Sequence, residues 1–355
     1  MKGIRIQLLI VFVMLLASCK KAEVSGLLTI DVTKNTEKEL ALSDISASVI
    51  KISLENHEDA LITTIKEVVT IDSYFVVITY DSRILIFDQD GLFVNAVGKK
   101  GEGPGEHRFI SAFAKDEDSR KFYVVSSKKV LVYSFDFQLI DEFTLDYYIS
   151  NLSIQNNNIY VVSNAYEIPV EEGYATETSL YVLDKTFASL DTIPLRRVVR
   201  KDRQASILGY NKFISTDGLN TFIYAPVATN EGFLRDTIFQ IAANTVVPYA
   251  KLRFAEPHVD EKGIKTYWIA NIFSTANYLG AHYYKEANNI HFFLYDRNTS
   301  KRFNFKGGPL DDEGDVVVLN LLDASTDTFY YVKTDTYADV ANEEQNPIIG
   351  IVKLK

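Results

Sequence analysis

The sequence predicts an all-β protein, a six-bladed β-propeller of four-stranded antiparallel blades whose ring is closed by an N-terminal strand in the last blade. Three observations carry this. Composition favours pleated, half-buried surfaces: 21 Tyr and 22 Phe stand against 1 Trp, 2 Met and 1 Cys. Short β-branched and aromatic runs alternate with turn residues along the chain. These runs recur in units of roughly 40 to 50 residues, the period of a propeller blade.

The first unit shows the pattern most openly. Tyr74-Phe75-Val76-Val77-Ile78-Thr79 is followed by a turn at Asp81-Ser82, then by Arg83-Ile84-Leu85-Ile86-Phe87. Asp88-Gln89-Asp90-Gly91 forms the next turn, with Gly where positive φ is needed, and Leu92 to Val97 follows. The second unit repeats this with Lys121–Val125, Val130–Ser134 and Leu139–Phe143. The third has Asn158–Val162, Ser179–Asp184 and Ser189–Ile193; the fourth has Thr221–Tyr224, Asp236–Ile241 and Val246–Tyr249. The fifth reads less clearly, as Asn289–Phe293, Phe293–Asp296 and Lys301–Phe305. The sixth has only Thr328–Val332 and Pro347–Leu354 and is short of strands. A lone early strand, Ser46 to Leu54, precedes the first unit and is expected to complete the last. Packing blades radially buries both faces of each sheet and leaves only short edges. The competing architecture is a pair of β-sandwiches, which would not explain one repeated unit running without a linker.

The first residues carry a different signal. Lys2 and Arg5 precede an uncharged apolar run from Leu8 to Leu16, then Ala17-Ser18-Cys19. A basic start, a short apolar stretch and small residues before a cut site make a secretory signal. The run falls short of the about 20 residues that span a bilayer. Cys19 directly after the small pair makes the segment resemble the lipobox of a bacterial lipoprotein. That resemblance implies cleavage before Cys19, lipidation of its thiol, and a chain held on the cell envelope, on the periplasmic or surface side of an outer membrane. It also accounts for a single cysteine in an exported chain. The expected organisation is a signal peptide at 1–18, a lipidated Cys19 and tether over 19–43, and the propeller over 44–355.

Charge excludes one class of partner. Removing residues 1–18 takes away two cations, Lys2 and Arg5, and no acid, which moves the formal charge from −10 to −12. Nucleic-acid binding demands a basic footprint, and none is present at this scale.

Gly98-Lys99-Lys100-Gly101-Glu102-Gly103-Pro104-Gly105-Glu106-His107-Arg108-Phe109 resembles the inter-blade loop of NHL-type propellers. With the lipobox and the Asn346-Pro347…Lys353-Leu354-Lys355 ending, nearly the whole mature chain resembles the six-bladed propeller lipoproteins of Bacteroidetes. His107 stands where that pattern has an aromatic. The resemblance implies a fold and an envelope location, and no particular activity. The glycines of the loop allow angles closed to other residues. The loop reads either as a crossover between blades or as a nest of backbone N–H groups for an anion.

Catalytic and metal motifs are missing. The five histidines are dispersed, Asp88-x-Asp90-Gly91 lacks the later ligands of a calcium loop, and there is no nucleophile elbow or phosphate loop. No catalytic residue, metal or cofactor is assigned. Asp191-Thr192-Ile193 and Asp236-Thr237-Ile238 resemble an O-glycosylation acceptor of Bacteroidetes, although Asp-Thr is also ordinary turn chemistry.

One basic run departs from the acidic whole: Arg196, Arg197, Arg200, Lys201 and Arg203. It is expected on the connection between the third and fourth units, as Lys99, Lys100 and Arg108 are on that between the first and second. Such connections share one face of a propeller. The seven residues Lys99, Lys100, Arg108, Arg196, Arg197, Arg200 and Arg203 are therefore candidate ligand contacts around the channel mouth, suited to an acidic glycan. The functional expectation is a binding module for such a glycan or an envelope protein, with no chemistry of its own. The alternative is a propeller-type polysaccharide lyase or glycoside hydrolase working through carboxylates.

Overall fold

The computed structural model describes residues 27–33, 39–203, 212–225, 235–242, 245–255, 257–261, 265–285, 289–334 and 345–355. Six antiparallel sheets follow one another around a ring, as the repeats predicted. Their innermost strands are Ile65–Ile71, Ala112–Asp116, Asn151–Gln155, Ile214–Thr216, Tyr267–Ser274 and Asn320–Asp323, for blades 1 to 6 in order.

Apolar residues on facing sheets form the cores between blades. Ile71, Val76 and Ile86 of blade 1 meet Phe113, Phe122 and Tyr133 of blade 2, where the rings of Phe122 and Tyr133 stack 5.0 Å apart. Val68, Val77 and Phe87 on the other side of blade 1 meet Tyr330 and Ile349 of blade 6. Each sheet thus buries both faces against its neighbours, so the fold needs no capping layer. Among the described residues, no helix is long and apolar enough to cross a membrane.

The ring closes as expected. Ser46–Ser53 is the outer strand of blade 6 and pairs antiparallel with Ile348–Leu354, from Ser53↔Ile348 to Ser46↔Leu354. Buried Asn346 ties the C-terminal segment to the connection entering blade 1. Its Oδ1 accepts from Ile62 N at 2.7 Å, and its Nδ2 donates to Glu55 O at 2.7 Å and Ala60 O at 2.9 Å.

Three features differ from the sequence reading. Leu28–Asp31, expected in the tether, pairs in parallel with Thr245–Arg253 as a fifth strand of blade 4. The 39–45 segment is docked as well, with Leu42 and Ile45 in the core between blades 5 and 6. Residues 28–33 and 39–45 are therefore parts of the folded domain, and Cys19 lies outside the described residues. Blade 5 holds two strands that the repeat pattern did not show, Tyr267–Ser274 and Tyr278–Lys285, while Asn289–Asp296 is one strand rather than two. Gly280 and Ala281 interrupt the β-branched pattern in the second of these. The Phe273 ring covers the glycine so closely that a Cβ would lie 2.1 Å from its Cζ. Aromatic cover supplies the packing that a side chain would otherwise give, so the strand has no sequence signature of its own.

In blade 3 the outer strand does not stop near Ile193. Ser189–Arg200 stays paired with Gly173–Leu183, and Asn158–Val170 runs 13 residues against 6 for its counterpart in blade 2.

Candidate functional site

The inner strands surround a channel with a cavity of about 740 Å³. Its wall is rich in amides, with Asn151, Gln155, Asn156, Asn157, Asn271 and Asn320 among the lining residues. Four lysines (Lys66, Lys115, Lys185, Lys212) face five carboxylates (Glu67, Asp116, Glu117, Asp118, Asp323), so the wall is close to charge-balanced. Tyr80, Tyr284 and Tyr330 add aromatic surface.

Pairs and hydrogen bonds fix most of these charges. Lys185 binds Asp116, whose Oδ2 also accepts from Ser119 Oγ at 2.6 Å. Burial works against the Asp116 carboxylate, but Lys185 and Ser119 prevail and hold it below the usual range. Lys115 lies 2.6 Å from Glu117 and donates to Thr70 O at 3.0 Å. Lys66 donates to Ile110 O, and burial draws its ammonium below the ordinary lysine value. Asp323 is buried enough to resist ionisation, yet Ser325 and Thr326 keep it low. Among the described residues, every carboxyl whose titration is displaced is displaced downward. A general acid needs the opposite displacement, toward neutral pH.

One pair crosses the channel. Lys212, on the segment entering blade 4, has its backbone N bonded to Asn271 Oδ1 of blade 5 at 2.8 Å, and its ammonium meets Glu67 of blade 1. The Glu67 side chain is 3% exposed, whereas that of Lys212, which lines the cavity, is 43% exposed. Burial disfavours the ammonium, but the charge of Glu67 and the nearby Tyr330 outweigh it, so Lys212 titrates above its ordinary value. Tyr330, buried beside the same carboxylate, is pushed up to about 12 and accepts from Val68 N at 3.1 Å.

His282 continues this wall. Its Nε2 lies 2.9 Å from Leu319 O and its Nδ1 3.4 Å from Asn271 Nδ2, which fits a neutral ring donating through Nε2. Burial lowers its pKa to about 4. A base depressed from 6.5 in the unfolded chain to about 4 in the folded one costs stability as pH falls through that window. The cost levels off at about 3 kcal/mol below pH 4. Thermal melts from pH 7 to 4 should lose less stability in His282→Gln than in the wild type. Identical slopes would remove His282 from this role.

None of the seven basic residues expected at the mouth lines the cavity. Arg196, Arg197 and Arg200 lie in the outermost strand of blade 3 rather than on a connection, because strand pairing continues to Tyr174↔Arg200. Arg196 is buried. Their charges are also engaged within the chain. Lys99 meets Glu106 at 2.8 Å, Arg108 meets Glu102 at 3.3 Å, Arg197 meets Glu177 at 3.1 Å, and Arg203 lies over the Tyr174 ring. Lys100 reaches Asp81 O at 3.4 Å.

The glycine loop carries its own anions. Gly103 N donates to Glu106 Oε2 at 3.0 Å and Gly105 N to Glu142 Oε2 at 2.6 Å. The crossover reading is the one the geometry supports, since the nest is filled by the chain's carboxylates. Asp311, Asp312 and Glu313 form an acidic turn, and Lys51 and Lys333 pair with it at 2.6 to 2.9 Å.

Sequence reasoning missed Glu67 and Lys212 because it read three strands in most repeats and not the innermost one. A signal was present: Asn151-Leu152-Ser153-Ile154-Gln155 alternates polar and apolar residues, as a strand with one face on a wet channel should.

No curated protein matches the chain in sequence. Among solved structures, a candidate exported protein from Bacteroides fragilis NCTC 9343 superposes with a TM-score of 0.67 at 19% identity, covering 93% of this chain and 99% of that one. A member of the DUF4221 family from Bacteroides vulgatus superposes with a TM-score of 0.50 at 9% identity, covering 87% and 97%. These likenesses are of fold. The sequence match to a family runs from 27 to 353, nearly the whole described domain, and the chain belongs to that family, the domain of unknown function DUF4934.

Proposed function

We propose that this protein is an exported, lipid-anchored binding module that takes a neutral, polyhydroxylated ligand, an uncharged glycan, in its central channel. The observation that carries the reading is the channel wall: amides and paired charges in near balance, with no displaced carboxyl moved toward neutrality. Hydroxyl groups both donate and accept, so they match a wall that offers both. An acidic glycan matches it less well, because the rim cations that would attract it are already paired. A lyase or hydrolase would require a carboxyl or histidine poised for proton transfer, and His282 is held neutral by burial.

A glycan array probed with protein lacking residues 1–19 tests the ligand class. Neutral glycans should be retained uncleaved by mass spectrometry. Retention of acidic glycans alone, or release of cleavage products, would contradict the reading.

The anchor rests on Lys2, Arg5, the apolar run and Cys19, with the exported relative in B. fragilis as support. Cys19→Ala should abolish incorporation of labelled fatty acid and release the protein from membranes. Unchanged labelling would refute the anchor. The NHL-like character of the 98–109 loop is part of the same reading.

A further inference from the structure

We propose that the Lys212 ammonium is the ligand-contacting donor of the channel, bonding a hydroxyl of the bound saccharide, and that Glu67 is the positioning residue that holds it there. This rests on the channel-binding reading above. An ammonium carries three donors, and Glu67 takes one of them. The accessible side chain of Lys212 offers the others to whatever enters the cavity. Its side chain is more accessible than those of the other ion-paired channel lysines, at 43% exposed against 27% for Lys115 and 28% for Lys185.

The design of the pair points the same way. Glu67 is buried, its Oε1 meets Lys212, and its Oε2 has no hydrogen-bond partner among the described residues, so Lys212 is the carboxylate's one direct ion-pair partner there. A pair of apolar residues commonly stabilises such a place as well as a buried ion pair does. Stability therefore does not explain why a charge is carried across the ring. A fixed donor in the channel wall does. Anchoring through Asn271 on one side and Glu67 on the other sets its position before a ligand arrives, which lowers the ordering cost of binding.

The experiment separates this inference from the reading beneath it. The tightest neutral glycan from the array is titrated calorimetrically into wild type and the double variant Glu67→Leu/Lys212→Met, which removes both charges together. The double variant should melt near the wild type and bind at least tenfold more weakly. Binding within twofold of wild type would overturn the role of Lys212 while leaving the channel reading intact. If the wild type binds no neutral glycan, the channel reading fails and this inference with it. A second measurement needs no variant. Acetylation of Lys212 in the wild type, followed by peptide mass spectrometry, should slow when that glycan is present, while acetylation of exposed Lys99 should not. Equal rates at Lys212 with and without glycan would also overturn the inference.

Discussion

Deleting residues 347–355 should leave a chain with no cooperative unfolding transition. The segment contains Ile348–Leu354, a central strand of blade 6 that pairs with Thr328–Lys333 on one side and Ser46–Ser53 on the other. Ile349, Val352 and Leu354 are 0%, 0% and 3% exposed. Burying such side chains contributes about 1.5 to 3 kcal/mol each, so these three alone give about 5 to 9 kcal/mol. That is comparable to the whole stability of an ordinary domain, about 5 to 15 kcal/mol. The loss also uncouples the N-terminal strand and exposes the cores that blade 6 shares with blades 5 and 1. Circular dichroism during heating should show no sigmoidal melt. A truncated protein that melts like the intact one would show that the ring does not depend on its clasp.

The second large effect is expected from Lys212→Met alone. This leaves the buried Glu67 carboxylate without the ammonium that bonds its Oε1, while its Oε2 has no hydrogen-bond partner among the described residues. Removing one member of a buried pair costs about 3 to 5 kcal/mol, and the wet Lys212 end places this case near about 3 kcal/mol. The loss should be largest near neutral pH, where the stranded carboxylate must either stay charged without a partner or take up a proton. Denaturant melts of the single variant should therefore shift strongly, while those of the Glu67→Leu/Lys212→Met variant should not. A single variant as stable as wild type would mean that Glu67 is not committed to Lys212.

Turns and middle strands were legible in the sequence because their chemistry is local. Asp88-Gln89-Asp90-Gly91 is a turn in the structure, with Gly91 at φ +84 and its N bonded to Asp88 O at 3.1 Å. The clasp was legible by counting, because a blade short of strands and a spare early strand complete each other. Inner strands were harder to read. Their outward neighbours are apolar, but their channel side carries Lys66, Glu67, Asn151 and Asn271, which look like loop residues when the ring is not yet in view. The basic run at Arg196 to Arg203 misled for a related reason. Charge density suggested an exposed connection, whereas most of it belongs to a long outer strand whose Arg197 is paired with Glu177 and whose Arg196 is buried. Lys212 gave no local cue, because its importance comes from meeting Glu67 145 positions away.

The most direct test of the account is the location of a bound saccharide. A crystal structure of the domain, lacking residues 1–19 and soaked with the tightest neutral glycan from the array, should show the sugar between the inner strands, with a hydroxyl on Lys212 Nζ. A sugar found instead on the outer strand of blade 3, among Arg197 and Arg200, would contradict the channel as the site.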